Sequence, residues 1–127
     1  MVCADTDFLI AWLQNSQDAL KKLEELELGQ ICTTAITAFE LYKGVYRSKR
    51  KESEINRVAE LLDLVEILVL DSPSARLAGR LEFEMKSHTI GESDLLIASI
   101  VLTQGETLLT RNRRHFERVL GLKIESW

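Results

Sequence analysis

Apolar and polar positions follow two alternating patterns along this chain of 127 residues. Short apolar runs bounded by polar residues predict buried strands, and segments with an apolar residue every three or four positions predict amphipathic helices. The predicted strands cover residues 2–4, 30–33, 66–70, 107–110 and about 122–124. Because helical segments separate them, we expect a single α/β domain over residues 1–127, with a mainly parallel sheet of four to five strands.

Residues that favour helix ends mark the boundaries of the predicted helices. The expected start residues are Asn15, Thr33 or Thr34, Ser72 before Pro73, and Thr89 with Glu92 at the spacing of a capping box. The expected stop residues are Gly29 and Gly105. The third helix, for example, is predicted to cover residues 35–47.

Composition and charge narrow the class of protein. With 46% hydrophobic and 28% charged residues, the chain has the balance of a folded domain rather than a disordered one. Cys3 and Cys32 fall in predicted strands and fit no zinc spacing, so we expect buried free thiols and a reducing cytoplasm. The apolar stretches 8–13 and 95–102 are shorter than the ~20 residues that cross a bilayer, so no membrane association is expected.

Three acidic residues stand out because they lie beside apolar segments. Asp5 directly follows the first strand, Glu40 lies in the apolar helix after the second, and Asp94 begins the most apolar helix of the chain. Each has a structural alternative: Asp5 as a helix cap, Glu40 as the partner of an arginine, and Asp94 as a favourable charge at a helix N-terminus. Together they predict one acidic site above one edge of the sheet.

Such a site indicates metal-dependent chemistry. Three close carboxylates repel one another unless a cation neutralises them, and oxygen ligands suit magnesium or manganese better than zinc. An ion of this kind assists hydrolysis of a phosphodiester by activating a water molecule. The two histidines, His88 and His115, are expected at the surface.

Four segments of the sequence resemble the PIN-domain family, and within it the VapC-type ribonuclease toxins. They are Asp5-Thr6-Asp7-Phe8-Leu9, Thr37-Ala38-Phe39-Glu40-Leu41 with Gly44, Asp94-Leu95-Leu96-Ile97-Ala98-Ser99, and the stretch from Gly105 to Phe116 that contains Thr110-Arg111-Asn112 and His115. Any one of them is a weak signal, but all four in this order are specific.

The resemblance implies a three-layer α/β/α Rossmann-like fold and a magnesium- or manganese-dependent endoribonuclease. It also implies a homodimer that is inhibited by a small cognate antitoxin. Asp5, Glu40 and Asp94 match the three acidic positions of the family and would be its catalytic residues and metal ligands. Asn112 stands at the fourth position, which is often Asp, and leaves open whether one ion or two are bound. Asp7 stands where many relatives have Asn or Ser, either as a ligand or as a first-turn acid.

An RNA substrate requires positive charge near these acids. The expected substrate-binding residues are Thr6 and Thr110 at strand ends and the arginines that follow the fourth strand, Arg111, Arg113 and Arg114. A second basic run covers residues 47–51. The structural alternatives are threonines that cap backbone amides and charged loops that are merely solvated.

Two other functions remain open from the sequence. A phosphoacceptor receiver domain also gathers acids at strand ends, and Asp71 with Lys123 would serve it, although this leaves Glu40 unexplained. A catalytically silent PIN fold that acts only as a binding module is the other. The net charge of −4 argues against a protein that coats nucleic acid regardless of sequence.

Overall fold

The computed structural model describes residues 1–85 and 90–127, which form a parallel sheet with helices on both faces. The strands are β1 (Val2–Ala4), β2 (Ile31–Thr34), β3 (Glu66–Leu68), β4 (Thr107–Leu109) and β5 (Lys123–Glu125). The helices are α1 (Thr6–Leu13), α2 (Gln17–Glu25), α3 (Ala35–Val45), α4 (Lys51–Asp63), α5 (Ser72–Glu84), α6 (Glu92–Gln104) and α7 (Arg113–Phe116). The strand order is β3-β2-β1-β4-β5, which confirms the predicted α/β/α class.

Two apolar clusters form the core, one on each face of the sheet. Neighbouring residues of a strand point to opposite faces: Cys3 packs in the cluster with α5 and α6, whereas Ala4 packs in the cluster with α1 to α4. Leu108 and Leu109 of β4 divide between the clusters in the same way. Strands buried on both faces explain why the sequence shows unbroken apolar runs there rather than alternation.

The two cysteines are buried free thiols, as predicted. Cys3 and Cys32 are register partners across β1 and β2, at the centre of the sheet. No helix in residues 1–85 and 90–127 is long and apolar enough to span a membrane.

The second helix differs from its predicted bounds at both ends. Its N-cap is Ser16 rather than Asn15, because Asn15 adopts a left-handed backbone conformation (φ 55°) and closes the turn after α1. The helix ends at Glu25, and Gly29 lies in a short 3-10 turn instead. The backbone of Leu26 is extended, and its side chain packs against the core, which ends the helix before the glycine.

Thr34, not Thr33, caps the third helix. Its Oγ1 accepts the N–H of Thr37 at 3.1 Å, and β2 therefore extends one residue beyond the predicted end. The Thr33 hydroxyl instead donates to the carbonyl of Ala4 at 2.8 Å and links β2 to β1. The third helix ends at Val45, two residues before the predicted Arg47.

The cap of α5 is Asp71 rather than Ser72. Its carboxylate accepts the N–H of Ser74 at 3.0 Å, and the Ser74 hydroxyl accepts the N–H of Asp71 at 2.9 Å, which makes a reciprocal capping box. Strand β3 ends at Leu68, and Val69 and Leu70 are exposed rather than part of the strand.

The start of α6 is only partly comparable with its prediction. Thr89, the expected cap, lies outside the described residues, as does His88. The N-cap of α6 is Gly91, and Glu92 is its first helical residue. At the other end Gly105 stops the helix in a left-handed conformation (φ 70°), as predicted.

Candidate active site

Asp5 lies where β1 ends and α1 begins, at the switch point of the sheet. In the sheet, β1 has β2 on one side and β4 on the other, so the chain order reverses at β1. Open α/β folds bind ligands at such a reversal, beside the carboxyl ends of the strands. The Asp5 carboxylate caps α1 by accepting the N–H of Thr6 at 2.8 Å, and its Oδ2 accepts the Thr110 hydroxyl from the end of β4 at 2.7 Å. The expected capping role and the expected site position therefore coincide.

The Asp5 carboxyl is unusually hard to ionise. It is 5% exposed, and this burial raises its pKa to about 7, partly opposed by the hydrogen bonds from Thr110 and Thr6. The neighbouring negative charges of Asp7 and Asp94 raise the pKa further. Burial and acidic neighbours thus oppose the ionised form of Asp5, which a nearby cation would favour.

Glu40 reaches the same edge of the sheet from α3. It is half-buried, and its Oε1 accepts the hydroxyl of Thr6 at 2.7 Å. Thr6 thus connects two of the predicted acids, because its backbone N–H binds Asp5 and its side chain binds Glu40. Glu40 is bonded to this hydroxyl rather than to the arginine that was its structural alternative.

Asp94 lies in the first turn of α6 and contacts a residue that the sequence did not single out for the site. Its Oδ2 is 3.2 Å from Nδ1 of His115, and the side-chain nitrogen of Asn112 is 3.0 Å from the same ring atom. His115 is about half exposed, as expected of a surface residue, yet its ring joins two predicted site residues. The sequence feature that could have identified His115 as a site residue is its position three residues after Asn112.

Asp7 is the second acid of the first turn, and only one of its oxygens is satisfied. Its Oδ2 accepts the backbone N–H of Arg111 at 2.9 Å, which ties the turn after β4 to α1. Its Oδ1 is buried and has no hydrogen-bond partner within residues 1–85 and 90–127. A buried acceptor without a partner costs free energy unless a cation or water satisfies it.

The arginines after β4 differ in their availability. The guanidinium of Arg111 bonds to Asp18 at 2.7 Å and to the carbonyl of Trp127 at 2.8 Å, and it stacks 3.6 Å above the Trp127 ring. These partners give Arg111 a structural role at the rim. Arg113 and Arg114 are exposed on α7, beside Asn112, and Arg113 donates to the carbonyl of Ile124 at 3.5 Å, so their role in binding substrate stays a prediction.

The described residues show the predicted acids at one edge but not drawn together around an ion. In residues 1–85 and 90–127 no three His, Cys, Asp or Glu side chains are grouped closely enough to hold a metal as they stand. Thr6 links Asp5 to Glu40, and the Thr110 hydroxyl donates to Asp5, whereas Asp94 contacts His115. The donor set nevertheless fits a hard divalent cation, because it consists of carboxylate and amide oxygens, with a buried Asp5 of raised pKa and an orphaned Asp7 oxygen beside it.

The geometry excludes the receiver-domain alternative. Asp71 follows β3 and Lys123 begins β5, and these strands form opposite edges of the sheet, so the two residues do not share a site. The Asp71 carboxylate is also engaged in the cap of α5, where the hydrogen bonds from Ser74 lower its pKa.

Known proteins match this chain over nearly its whole length. The family model of the PIN domain matches residues 2–122. "Ribonuclease VapC2" of Rickettsia felis is 35% identical over 127 aligned residues, which cover 97% of this chain and 95% of that protein. The "tRNA(fMet)-specific endonuclease VapC" of Salmonella typhimurium is 29% identical, with the same coverage of both chains.

Solved structures also match the fold of this chain. A chain of VapBC2 from Rickettsia felis, in a crystal structure with a DNA fragment from its promoter, superposes with a TM-score of 0.91 and 30% identity, covering 100% of this chain and 99% of that one. DNA-bound VapBC from Salmonella typhimurium gives a TM-score of 0.91 at 28% identity, with 99% and 97% covered. The strand order, the acids at the carboxyl edge and these matches together lead to one conclusion: the chain belongs to the PIN domain family.

Proposed function

We propose that this chain is a divalent-metal-dependent endoribonuclease and the toxin of a VapBC-type toxin–antitoxin pair. The observation that carries the proposal is the buried carboxyl of Asp5 at the sheet's switch point, where burial and two acidic neighbours oppose its ionisation. Folding a carboxyl into such a position without a counter-charge is unfavourable. A cation bound at this site would offset that cost by stabilising the ionised carboxyl of Asp5.

Magnesium or manganese would be held by Asp5, Glu40 and Asp94, with the amide oxygen of Asn112 as a neutral donor. When bound, such an ion polarises a phosphoryl oxygen and lowers the pKa of a water molecule. Relatives are named ribonucleases, and RNA phosphodiesters are the substrate class that suits this chemistry.

Side chains of the protein supply the remaining catalytic and binding roles. Glu40 is half-buried, and its Oε1 accepts the Thr6 hydroxyl, which leaves Oε2 either to hold the ion or to accept the proton of the attacking water. Thr110 holds Asp5 in place. The exposed Arg113 and Arg114 are positioned on α7 to contact phosphates that flank the cut bond.

We further propose that the chain acts in the cytoplasm as a homodimer and is inhibited by a small antitoxin protein. The VapBC structures that it resembles are toxin–antitoxin complexes. Large apolar side chains on α3 support a protein partner, because Phe39 is 58% exposed and Tyr46, at the end of the helix, is 61% exposed. Sedimentation analysis of the purified chain would test the dimer.

The function is tested by replacing single acids and measuring RNA cleavage. Asp5→Asn, Asp94→Asn and Glu40→Gln are each expected to lower cleavage of total cellular RNA by about 100-fold or more in magnesium, since each removes a ligand or the base. EDTA is expected to abolish cleavage by the wild type. Glu24→Gln serves as the matched control, because Glu24 is an exposed acid of α2.

Circular dichroism and thermal melting of each variant establish that the fold is intact. Cleavage by Asp5→Asn or Asp94→Asn at the wild-type rate would refute the assignment of the site. A wild-type chain that binds RNA but does not cut it with either ion would favour the silent PIN fold instead.

A further inference from the structure

His115 connects two candidate site residues that belong to different elements. It lies on α7, and its Nδ1 is 3.2 Å from Oδ2 of Asp94 on α6 and 3.0 Å from the side-chain amide of Asn112 at the start of α7. These contacts join the N-terminal turn of α6 to the turn that follows β4. Nothing in the proposed chemistry requires an imidazole at this place, so its contacts need their own explanation.

A hydrogen bond between His115 and Asp94 requires a proton on Nδ1 of the ring. A carboxylate only accepts hydrogen bonds, so a neutral His115 satisfies Asp94 when the ring carries its proton on Nδ1. Nδ1 then has no lone pair for the Asn112 amide, whose nitrogen lies 3.0 Å away, so only the contact with Asp94 is a hydrogen bond.

We propose that His115 is a positioning residue that holds Asp94 in the orientation needed for the metal ion; this rests on the proposed function. With Oδ2 of Asp94 bonded to the ring, Oδ1 is left as the acceptor for the ion. Carboxylates that bind metals are held by partners of this kind, and losing such a partner typically weakens metal affinity about 10- to 100-fold. An ordinary exposed hydrogen bond would contribute far less.

The contact between the two side chains lies at the surface. Asp94 is 23% exposed and His115 is 49% exposed, so the hydrogen bond by itself adds little to the stability of the fold. The fold does not depend on it, because the neighbouring Phe116, which is fully buried, anchors α7 in the core. Variants of His115 are therefore expected to fold.

Three substitutions separate positioning from packing. In His115→Asn the side-chain nitrogen falls near the position of Nδ1 and can still donate to Asp94, whereas in His115→Gln it falls near Nε2 and cannot. His115→Ala removes the group altogether. Glu117→Ala is the control, because Glu117 is exposed and follows directly after α7.

The first measurement is manganese binding by calorimetry, without RNA, at one fixed pH for all variants. We expect His115→Ala and His115→Gln to bind manganese about 10-fold more weakly than the wild type, and His115→Asn to bind within about 2-fold of it. RNA cleavage should show the same order in kcat, with KM for RNA unchanged, because the ring orients the ion's ligands and not the substrate.

Wild-type manganese affinity and cleavage in His115→Ala would overturn the inference and leave the proposed function standing. Equal losses in His115→Asn and His115→Gln would also overturn it, since packing rather than the Nδ1 donor would then matter. A wild-type chain that neither binds manganese nor cuts RNA would instead defeat the proposed function itself, and the role of His115 with it. Nitrogen NMR of the metal-free protein adds a direct check: the ring signals of His115 should change in Asp94→Asn, and unchanged signals would refute the contact.

Discussion

Asp5 combines a structural and a chemical requirement in one side chain. As the cap of α1 it satisfies a backbone donor, and as the acid at the switch point it is buried beside Asp7 and Asp94. A cap on the surface would serve the helix equally well. The burial that raises the pKa of Asp5 is therefore not needed for the cap. It should lower the free energy of unfolding of the metal-free protein at neutral pH.

The stability of the metal-free protein should fall as the pH rises from about 4 to about 7. The pKa of Asp5 is about 7 in the folded chain against an ordinary 3.8, so between these values the folded state binds the extra proton and is favoured at the lower pH. The loss on ionisation is on the order of 4 kcal/mol at most. Urea unfolding in EDTA across this range measures it.

Asp5→Asn should remove most of that pH dependence and stabilise the metal-free chain near neutral pH. Glu24→Gln should leave the slope unchanged, because Glu24 is exposed. An equally steep slope in Asp5→Asn would show that another group is responsible.

Thr110 should be more important to stability than its single hydroxyl suggests. It is fully buried, donates to Asp5 and accepts the N–H of Asn112 at 3.0 Å. Thr110→Val keeps the shape but leaves the buried Asp5 carboxyl and the partly buried N–H of Asn112 without this partner, and should lower the free energy of unfolding by about 1–3 kcal/mol. Thr103→Val is the control, because its hydroxyl only returns to a carbonyl of its own helix; equal losses in both would contradict the prediction.

Sequence spacing was sufficient for some site residues and not for others. Asp5, Glu40 and Asp94 could be selected because an acid on an apolar segment is unusual. The contacts of Asp7 and His115 could not be selected, because they join residues that are far apart in the sequence. Arg111 was expected to bind substrate, yet Asp18 and Trp127 engage its guanidinium, and neither partner can be inferred from local pattern.

At the scale of elements, the order of strands and helices follows from hydrophobic periodicity, whereas their ends do not. Ser72 and Asp71 are both good caps, and only the reciprocal bonds with Ser74 decide for Asp71. Glycine often follows the end of a helix, which is why Gly29 was expected there. However, α2 stops earlier because Leu26 packs on the core. Boundaries depend on which neighbouring residue the tertiary structure engages.

Gly105 is the helix end where the backbone itself requires glycine. Its φ is 70°, and an added Cβ would meet no atom within 4 Å, so the cost of Gly105→Ala is purely conformational. We expect a loss of about 1 kcal/mol in the free energy of unfolding, measured in urea. Gly29→Ala, which needs no left-handed backbone and also meets no atom within 4 Å, should be neutral within about 0.5 kcal/mol. Equal losses in both variants would be inconsistent with this explanation.

At the scale of the whole molecule, a bound ion should stabilise the fold. Manganese at 100 times its dissociation constant is expected to raise the free energy of unfolding by about 2.7 kcal/mol, with a corresponding rise in Tm of several degrees. EDTA should reverse the rise, and Asp94→Asn should reduce it. A wild-type Tm that does not respond to either ion would contradict a metal site in this chain.

The fold class was predictable because helices and apolar strands alternate, yet the strand order was not. Nothing in the local pattern of residues 2–4 says that β1 lies between β2 and β4. Only this central placement brings Thr110 to Asp5, and it depends on the packing of whole helices against both faces of the sheet.

The pairing of β1 with β4 also bears on how the protein is made. The bond between Thr110 and Asp5 joins residues 105 positions apart, so the first strand stays without one of its neighbours until the last part of the chain has been translated. A nascent chain released early lacks Thr110, Arg113 and Arg114. Such a chain cannot hold the carboxyl of Asp5 in place, and we expect it to lack nuclease activity.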